Sequence, residues 1–415
     1  LNISGYTLFN RLHVFNHSFQ MNILITVCIL LLLAYVFDLT SSFTKIPSVI
    51  LLLVSGWLVK QACNAFEIAV PDLNPLLPVL GTVGLILIVL EGSLELDVDK
   101  TKFTMIKKSI VVAFIPMIVL AAMLGYFFQY IGGYTLKDSI TYAIPFCVIS
   151  SAIAIPSVKS IHSRVREFVV FETSLSDILG VLFFNFVALN AVINTDSLID
   201  FFVQIIVITV LSFIATVCLS LLLTKVDHHI KYSPIIIIVI LFYGVSKEYH
   251  LPGLIFIIIF GLLLGNIKEL GKLKFLRKIN SKAIEAEVVK LHEISVEAAF
   301  LIRSLFFLLF GFLMHTREIL NTDTILYALG IVAAIILIRL VQLLLYKIPL
   351  IPLLFIAPRG LITILLFVAI VPEPTGTIVT KSLVIQVIVL TALVMMLGLM
   401  LTPKELQAKN EDIEQ

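Results

Sequence analysis

The residues with most scope for chemistry in this chain are charged side chains set inside long apolar runs: Glu91, Glu172, Asp177, Arg303, Arg339 and Arg359. A charge inside a bilayer costs several kcal/mol on most scales, so each needs a partner or a water-filled cavity. Two of the acids share the run Phe171-Glu172-Thr173-Ser174-Leu175-Ser176-Asp177-Ile178-Leu179-Gly180. At about 100° per residue they lie roughly 140° apart around a helix, so they face different neighbours and form no carboxylate dyad. Thr173, Asp177 and Gly180 share one face by i, i+4 and i, i+3 spacing. That face joins a hydroxyl, a carboxylate and a residue small enough for another helix to approach. A carboxylate in a water-accessible pocket holds either a proton or a cation, and each guest expels the other. Such competition is sufficient to couple two opposed fluxes.

The elements that must position these groups are membrane helices. Of 415 residues, 60% are hydrophobic and 13% charged, against roughly 45–50% and 25% in soluble proteins. A soluble globule of this length has no way to bury that much apolar surface, whereas lipid solvates it. Hydropathy and helix breakers predict about thirteen spans of roughly 20 residues each, near 22–40, 46–59, 79–96, 109–131, 139–157, 168–191, 199–224, 234–247, 252–266, 294–314, 324–346, 350–371 and 382–402. The remaining loops are too short for a soluble domain. Of the 29 lysines and arginines, 20 fall on alternate loops and the tail 403–415, and 6 on the opposite set. The positive-inside rule then puts the N-terminus outside and the C-terminus in the cytoplasm. Lys268–Lys290 is expected to be a long cytoplasmic linker touching headgroups. Residues 1–21 read as an extracytoplasmic leader, with Met21 a candidate start. Cys28, Cys63, Cys147 and Cys218 lack metal or redox spacing and read as core residues. His162, His228 and His229 are candidates for tuning a pH response, although solvated histidines are the commoner case.

Two spans carry breaks at polar sequence. Span 5 reads Val148-Ile149-Ser150-Ser151-Ala152-Ile153-Ala154-Ile155-Pro156-Ser157, and span 12 reads Phe355-Ile356-Ala357-Pro358-Arg359-Gly360-Leu361-Ile362-Thr363. Pro-Arg-Gly strands backbone groups that lipid cannot satisfy, so it belongs where it lines a cavity. Seven spans apart, the two segments run in opposite senses. Paired interruptions in two halves point to an inverted-repeat transporter. The repeats are expected at 22–191 (spans 1–6) and 234–402 (spans 8–13), linked by span 7 at 199–224.

These residues resemble the cation/proton antiporter superfamily, specifically the bacterial NhaP-like members of its sodium/proton exchanger branch. The Glu172 to Asp177 run is similar to the branch signature, with Ser176 in place of its asparagine. Leu90-Glu91-Gly92-Ser93-Leu94 resembles its Phe-Glu-Gly-Gly-Leu element, and Pro358-Arg359-Gly360 its crossed unwound helix. Arg339 stands where the family arginine pairs with the span-6 glutamate. The likeness spans essentially the whole chain. In span 5, however, Ser150-Ser151-Ala152 replaces the usual Thr-Asp-Pro or Ser-Asp-Pro, and with it an acid and a proline are lost.

The resemblance implies an all-α polytopic fold with crossed, unwound helices, a homodimer, and alternating access of a bundle against a scaffold. The predicted function is exchange of a monovalent cation, Na⁺ first, for H⁺. Asp177 is the expected shared site, with Thr173, Ser176, Ser150 and Ser151 as candidate oxygen donors. Those hydroxyls serve equally well as interhelical hydrogen-bond donors, and both readings stand. Glu172 and Arg339 are assigned as a structural ion pair. Arg359 either neutralises helix C-terminal dipoles or repels competing cations, and Glu91 and Arg303 form a possible accessory pair. One exchanging carboxylate fits electroneutral 1:1 exchange. K⁺/H⁺ exchange is the runner-up, favoured by the altered span 5. An ion channel or a transport-inactive sensor on the same fold is the alternative from another class. No cofactor, resident metal or nucleic acid is expected, and no hydrolase motif supports an enzyme. The expected location is a bacterial inner membrane.

Overall fold

The computed structural model describes residues 25–41, 44, 46–68, 70–96, 103–158, 161, 163–190, 195–225, 232–249, 251, 253–267, 281–370 and 378–402. The leader at 1–21, the tail at 403–415 and the histidines His162, His228 and His229 lie outside the described residues. The chain runs through α1 (Ile25–Ser41), α2 (Ser48–Ala65), α3 (Leu76–Glu95) and α4 (Phe103–Gly132). Span 5 is a broken element: α5 (Leu136–Ala143), a 3₁₀ turn over Ile144–Phe146, and α6 (Ser151–Ser157). There follow α7 (Ser163–Leu189), α8 (Thr195–Lys225), α9 (Tyr232–Glu248), α10 (Gly253–Gly265) and α11 (Ser281–Leu313). A single turn at Thr316–Ile319 precedes α12 (Thr322–Leu345). Span 12 is broken too, with turns over 351–355 and non-helical chain over 356–360 before α13 (Leu361–Val368). The described chain ends with α14 (Lys381–Met400).

Among the described residues, 8 helices are long and apolar enough to cross a membrane when α5 to α6 is taken as one segment, and α1 and α10 are shorter apolar helices. The other predicted spans fall on α7, which carries Glu172 and Asp177, on the 17-residue α9, and on the broken span 12. The segment Lys268–Lys290 is not simply a linker. From Ser281 onward it is the first part of the 33-residue α11. The cause is a buried stripe, Ile284, Val288, Leu291 and Ser295, at i, i+4, i+7 and i+11 beneath a charged outer face.

The helices fall into two packed groups. In one, α11 lies against α2 and α3, and α10 against α3 and α8; in the other, α4 packs on α5, α7 and α12, and α12 on α14. The α2–α11 crossing brings backbones together, since a Cβ on Gly56 would meet the Phe312 nitrogen at 2.8 Å. Small residues at a crossing permit this in lipid, where packing rather than apolarity drives association. Within α4, Pro116 lacks the N–H that would bond the carbonyl of Val112, four residues earlier. Gln342 of α12 supplies the missing donor at 2.9 Å.

Candidate functional site

The two breaks meet at the centre of the second group. The Ser150 N–H donates to the Pro358 carbonyl at 2.9 Å, joining the two unwound strands directly. Ile149 N–H donates to Ser176 Oγ at 3.0 Å, Arg359 N–H to Thr391 Oγ1 at 3.0 Å, and Gly360 N–H to Thr363 Oγ1 at 3.3 Å. These four backbone donors, released by unwinding, thus find partners within the protein, as hydrocarbon requires. Glycine at 360 is needed for close approach, because a Cβ there would lie 2.7 Å from both Ser150 Oγ and Ile153 Cδ1. Gly180 performs the same service on α7, where a Cβ would collide with Val148 of the unwound segment.

Arg359 is fully buried, and its Nε and Nη1 donate to the carbonyls of Phe146 and Ala357. Both carbonyls belong to chain that ends a helical segment or turn, so the guanidinium sits where partial negative charge accumulates. Asp177, on α7, is buried at 3% exposure. Its Oδ2 accepts a hydrogen bond from Ser151 Oγ, while its Oδ1 has no partner; nor does Ser150 Oγ. Buried polar atoms are nearly always satisfied, and these two oxygens, one on α7 and one at the span-5 break, have the capacity to accept a further polar contact. Thr173, one turn before Asp177, donates its hydroxyl proton to the Val169 carbonyl at 2.8 Å, which leaves its oxygen lone pairs available.

Glu172 faces away from Asp177, as the helical spacing requires. Its carboxylate meets Arg339 in a two-pronged ion pair and also accepts from Gln342 Nε2 at 3.1 Å. Arg339 Nε reaches the Leu353 carbonyl at 3.0 Å, tying α7, α12 and the start of the broken span together. Gln342 and Thr391 were not singled out from sequence. Each stands as a polar residue within a largely apolar helix, Gln342 three residues after Arg339 and Thr391 five after Gln386, but neither has a local partner that would disclose its role.

A cavity of about 530 Å³ reaches the site from one end of the helices. Ser151 borders it, together with Glu91 of α3 and Arg303 of α11. Glu91 and Arg303 thus share a wall of the cavity and stand outside the crossing. Asp177 does not border the cavity itself and is separated from it by Ser151.

With that geometry established, the transmembrane model of the sodium/hydrogen exchanger family matches residues 27–404. Among solved structures, the sodium proton antiporter MjNhaP1 from Methanocaldococcus jannaschii at pH 8 is similar, with a TM-score of 0.67 and 18% identity over 92% of this chain and 98% of that one. An electron-microscopy map of the same antiporter gives a TM-score of 0.66 and 18% identity, covering 92% and 95%. No curated protein sequence matches.

Proposed function

Since the chain belongs to the sodium/hydrogen exchanger family, we propose that it exchanges Na⁺ for H⁺ at Asp177 by alternating access, with 1:1 electroneutral stoichiometry. The observation that carries this reading is the partnerless Oδ1 of a buried aspartate at the crossing, one hydroxyl away from a water-sized route. A carboxylate so placed binds one positive guest at a time, and hydroxyl and carbonyl oxygens from the breaks complete the shell of a hard monovalent ion. Ser150, Ser151 and Thr173 are the proposed donors. Ser176 is proposed to act by holding the Ile149 N–H, so that the unwound strand keeps its course. Glu172 and Arg339 hold the bundle together, and Arg359 offsets the carbonyl ends of the broken segments.

The orientation follows from the basic loops. The cavity is flanked by the ends of α1, α3 and α7 that adjoin these loops, so the state described is proposed to be open to the cytoplasm. At the far end of α11, beside a second cavity of about 300 Å³, Lys60 Nζ donates to the Leu313 and Met314 carbonyls at 3.4 and 3.0 Å, and Glu318 pairs with Lys381 at 3.6 Å. The two halves, 22–191 and 234–402, are read as inverted repeats whose breaks cross at the site. K⁺ is the second choice of ion, favoured by Ser151 standing where a second carboxylate would strengthen the field. The test is collapse of a pH gradient in proteoliposomes on adding Na⁺, K⁺ or Li⁺. Cation-dependent collapse that Asp177→Asn abolishes supports the reading; equal collapse in that variant removes Asp177 from the mechanism.

A further inference from the structure

A small cavity of about 30 Å³ lies between α4, α12 and the two breaks, with Ser176, Arg339, Gln342 and Arg359 set among its apolar walls. These polar groups have hydrogen-bonding capacity that the protein leaves unspent. Gln342 commits both its N–H hydrogens, to the Val112 carbonyl at 2.9 Å and to Glu172 Oε1 at 3.1 Å. What it still offers is its amide oxygen, an acceptor. Ser176 Oγ accepts from the Ile149 N–H at 3.0 Å and keeps a hydroxyl proton to donate. Arg359 gives Nε and Nη1 protons to the Phe146 and Ala357 carbonyls, which uses two of the five N–H groups of a guanidinium. The lining therefore holds spare donors and a spare acceptor together.

We propose that this cavity is the site of one resident water molecule, which accepts from the Arg359 guanidinium and donates to the Gln342 amide oxygen. Size, charge and hydrogen-bond polarity all select water. A water needs roughly 10–15 Å³ of such space and two to four polar partners, and both are present. Glu172 offsets Arg339, so the charge left on the lining is that of Arg359, and a cation is repelled. An anion suits the guanidinium but has no proton to give the amide oxygen. A neutral molecule that donates and accepts serves every group, and at this volume that molecule is water. Such a bridge is nearly as good as a direct hydrogen bond. It joins Arg359 at the crossing to the Glu172–Arg339–Gln342 group, which no direct hydrogen bond does among the described residues. The inference requires no transport and stands apart from the exchange reading.

The experiment is hydroxyl-radical footprinting of the full chain in liposomes, with radicals made by a short X-ray pulse and the label read by mass spectrometry. Radiolysis of a bound water oxidises the side chains beside it, even where radicals from bulk solvent do not reach. Two readily oxidised side chains border the cavity, Met117 at 2% exposure and Cys147 at 4%. Met395, at 0% exposure and away from this cavity, is the buried control, and Tyr249, at 73%, reports bulk radicals. The expected result is label at Met117 and Cys147 at doses that leave Met395 untouched. A bulk radical scavenger should suppress label at Tyr249 and spare those two. Ala113→Val, which adds bulk to the cavity wall, should lose both labels, and Gln342→Met, which removes the acceptor, is the second variant should the valine fold poorly. Wild type with no more label at Met117 and Cys147 than at Met395 would overturn the proposal, whatever the variants do. Label that the scavenger quenches, or that persists in a folded filling variant, would overturn it as well.

Discussion

Removing one partner of the buried Glu172–Arg339 pair should harm the protein far more than removing both. Arg339 donates both terminal nitrogens to Glu172 and its Nε to the Leu353 carbonyl at 3.0 Å. Glu172 is 0% exposed and Arg339 3%. In Arg339→Met the carboxylate retains only Gln342 Nε2 at 3.1 Å. Breaking a buried pair in this way typically costs about 3–5 kcal/mol, because the surviving charge is stranded away from water. Leaving the Leu353 carbonyl without its donor adds about 1–2 kcal/mol. In Glu172→Gln/Arg339→Met the stranded charge disappears, so the loss should shrink to about 1–2 kcal/mol, mainly the Leu353 carbonyl and imperfect packing. The assay is the fraction of detergent-solubilised protein remaining monodisperse after heating, followed by exchange in liposomes. The single variant should fail at a much lower temperature than the double one. The double variant, once folded, should retain cation-dependent proton movement, because neither residue is the proposed carrier. Equal destabilisation of single and double variants would refute the electrostatic reasoning. Loss of exchange from a stable double variant would refute the purely structural role.

Four further outcomes are expected. Gln342→Leu should destabilise by about 1–3 kcal/mol through the orphaned Val112 carbonyl, and less in a Pro116→Ala background, where a restored N–H takes that carbonyl; a thermal-stability double-mutant cycle reads the difference. Gly360→Ala should reduce both folding yield and exchange, costing about 1–3 kcal/mol through overpacking against Ser150 and Ile153, with partial rescue by Ser150→Gly, measured as yield of monodisperse protein. At the far end of α11, Lys381→Gln should change stability by less than about 1 kcal/mol, since its pair with Glu318 is partly exposed. Lys60→Met should cost about 1–2 kcal/mol by uncapping the last carbonyls of α11, measured by the same heating assay.

Much of this architecture was legible in the residues, for physical reasons that can be named. Apolar runs locate the membrane helices because lipid leaves the backbone few alternatives. Pro358 and Gly360 mark the broken span because one lacks an N–H and the other permits contact at Ser150. The angular separation of Glu172 and Asp177 is a property of the helix alone, and it sends the two acids to Arg339 and Ser151. Three features were not legible. The helical start of α11 was hidden by the lysines and glutamates of its outer face, which mask the stripe at Ile284, Val288 and Leu291. The role of Gln342 depends on a carbonyl freed by Pro116, more than two hundred residues earlier, which no local pattern discloses. The cavity that brings Glu91 and Arg303 around one approach is a product of helix packing, and only coordinates reveal it.

On the proposed mechanism, a single buried carboxyl group takes a cation and a proton by turns. The most direct measurement is the half-saturating Na⁺ concentration for proton efflux from proteoliposomes as a function of pH, for wild type and Asp177→Asn. In wild type this concentration should rise toward about tenfold per unit fall in pH once protons hold the site, and Asp177→Asn should move neither ion. A half-saturating concentration that ignores pH, or an Asp177→Asn variant that still exchanges, would contradict it.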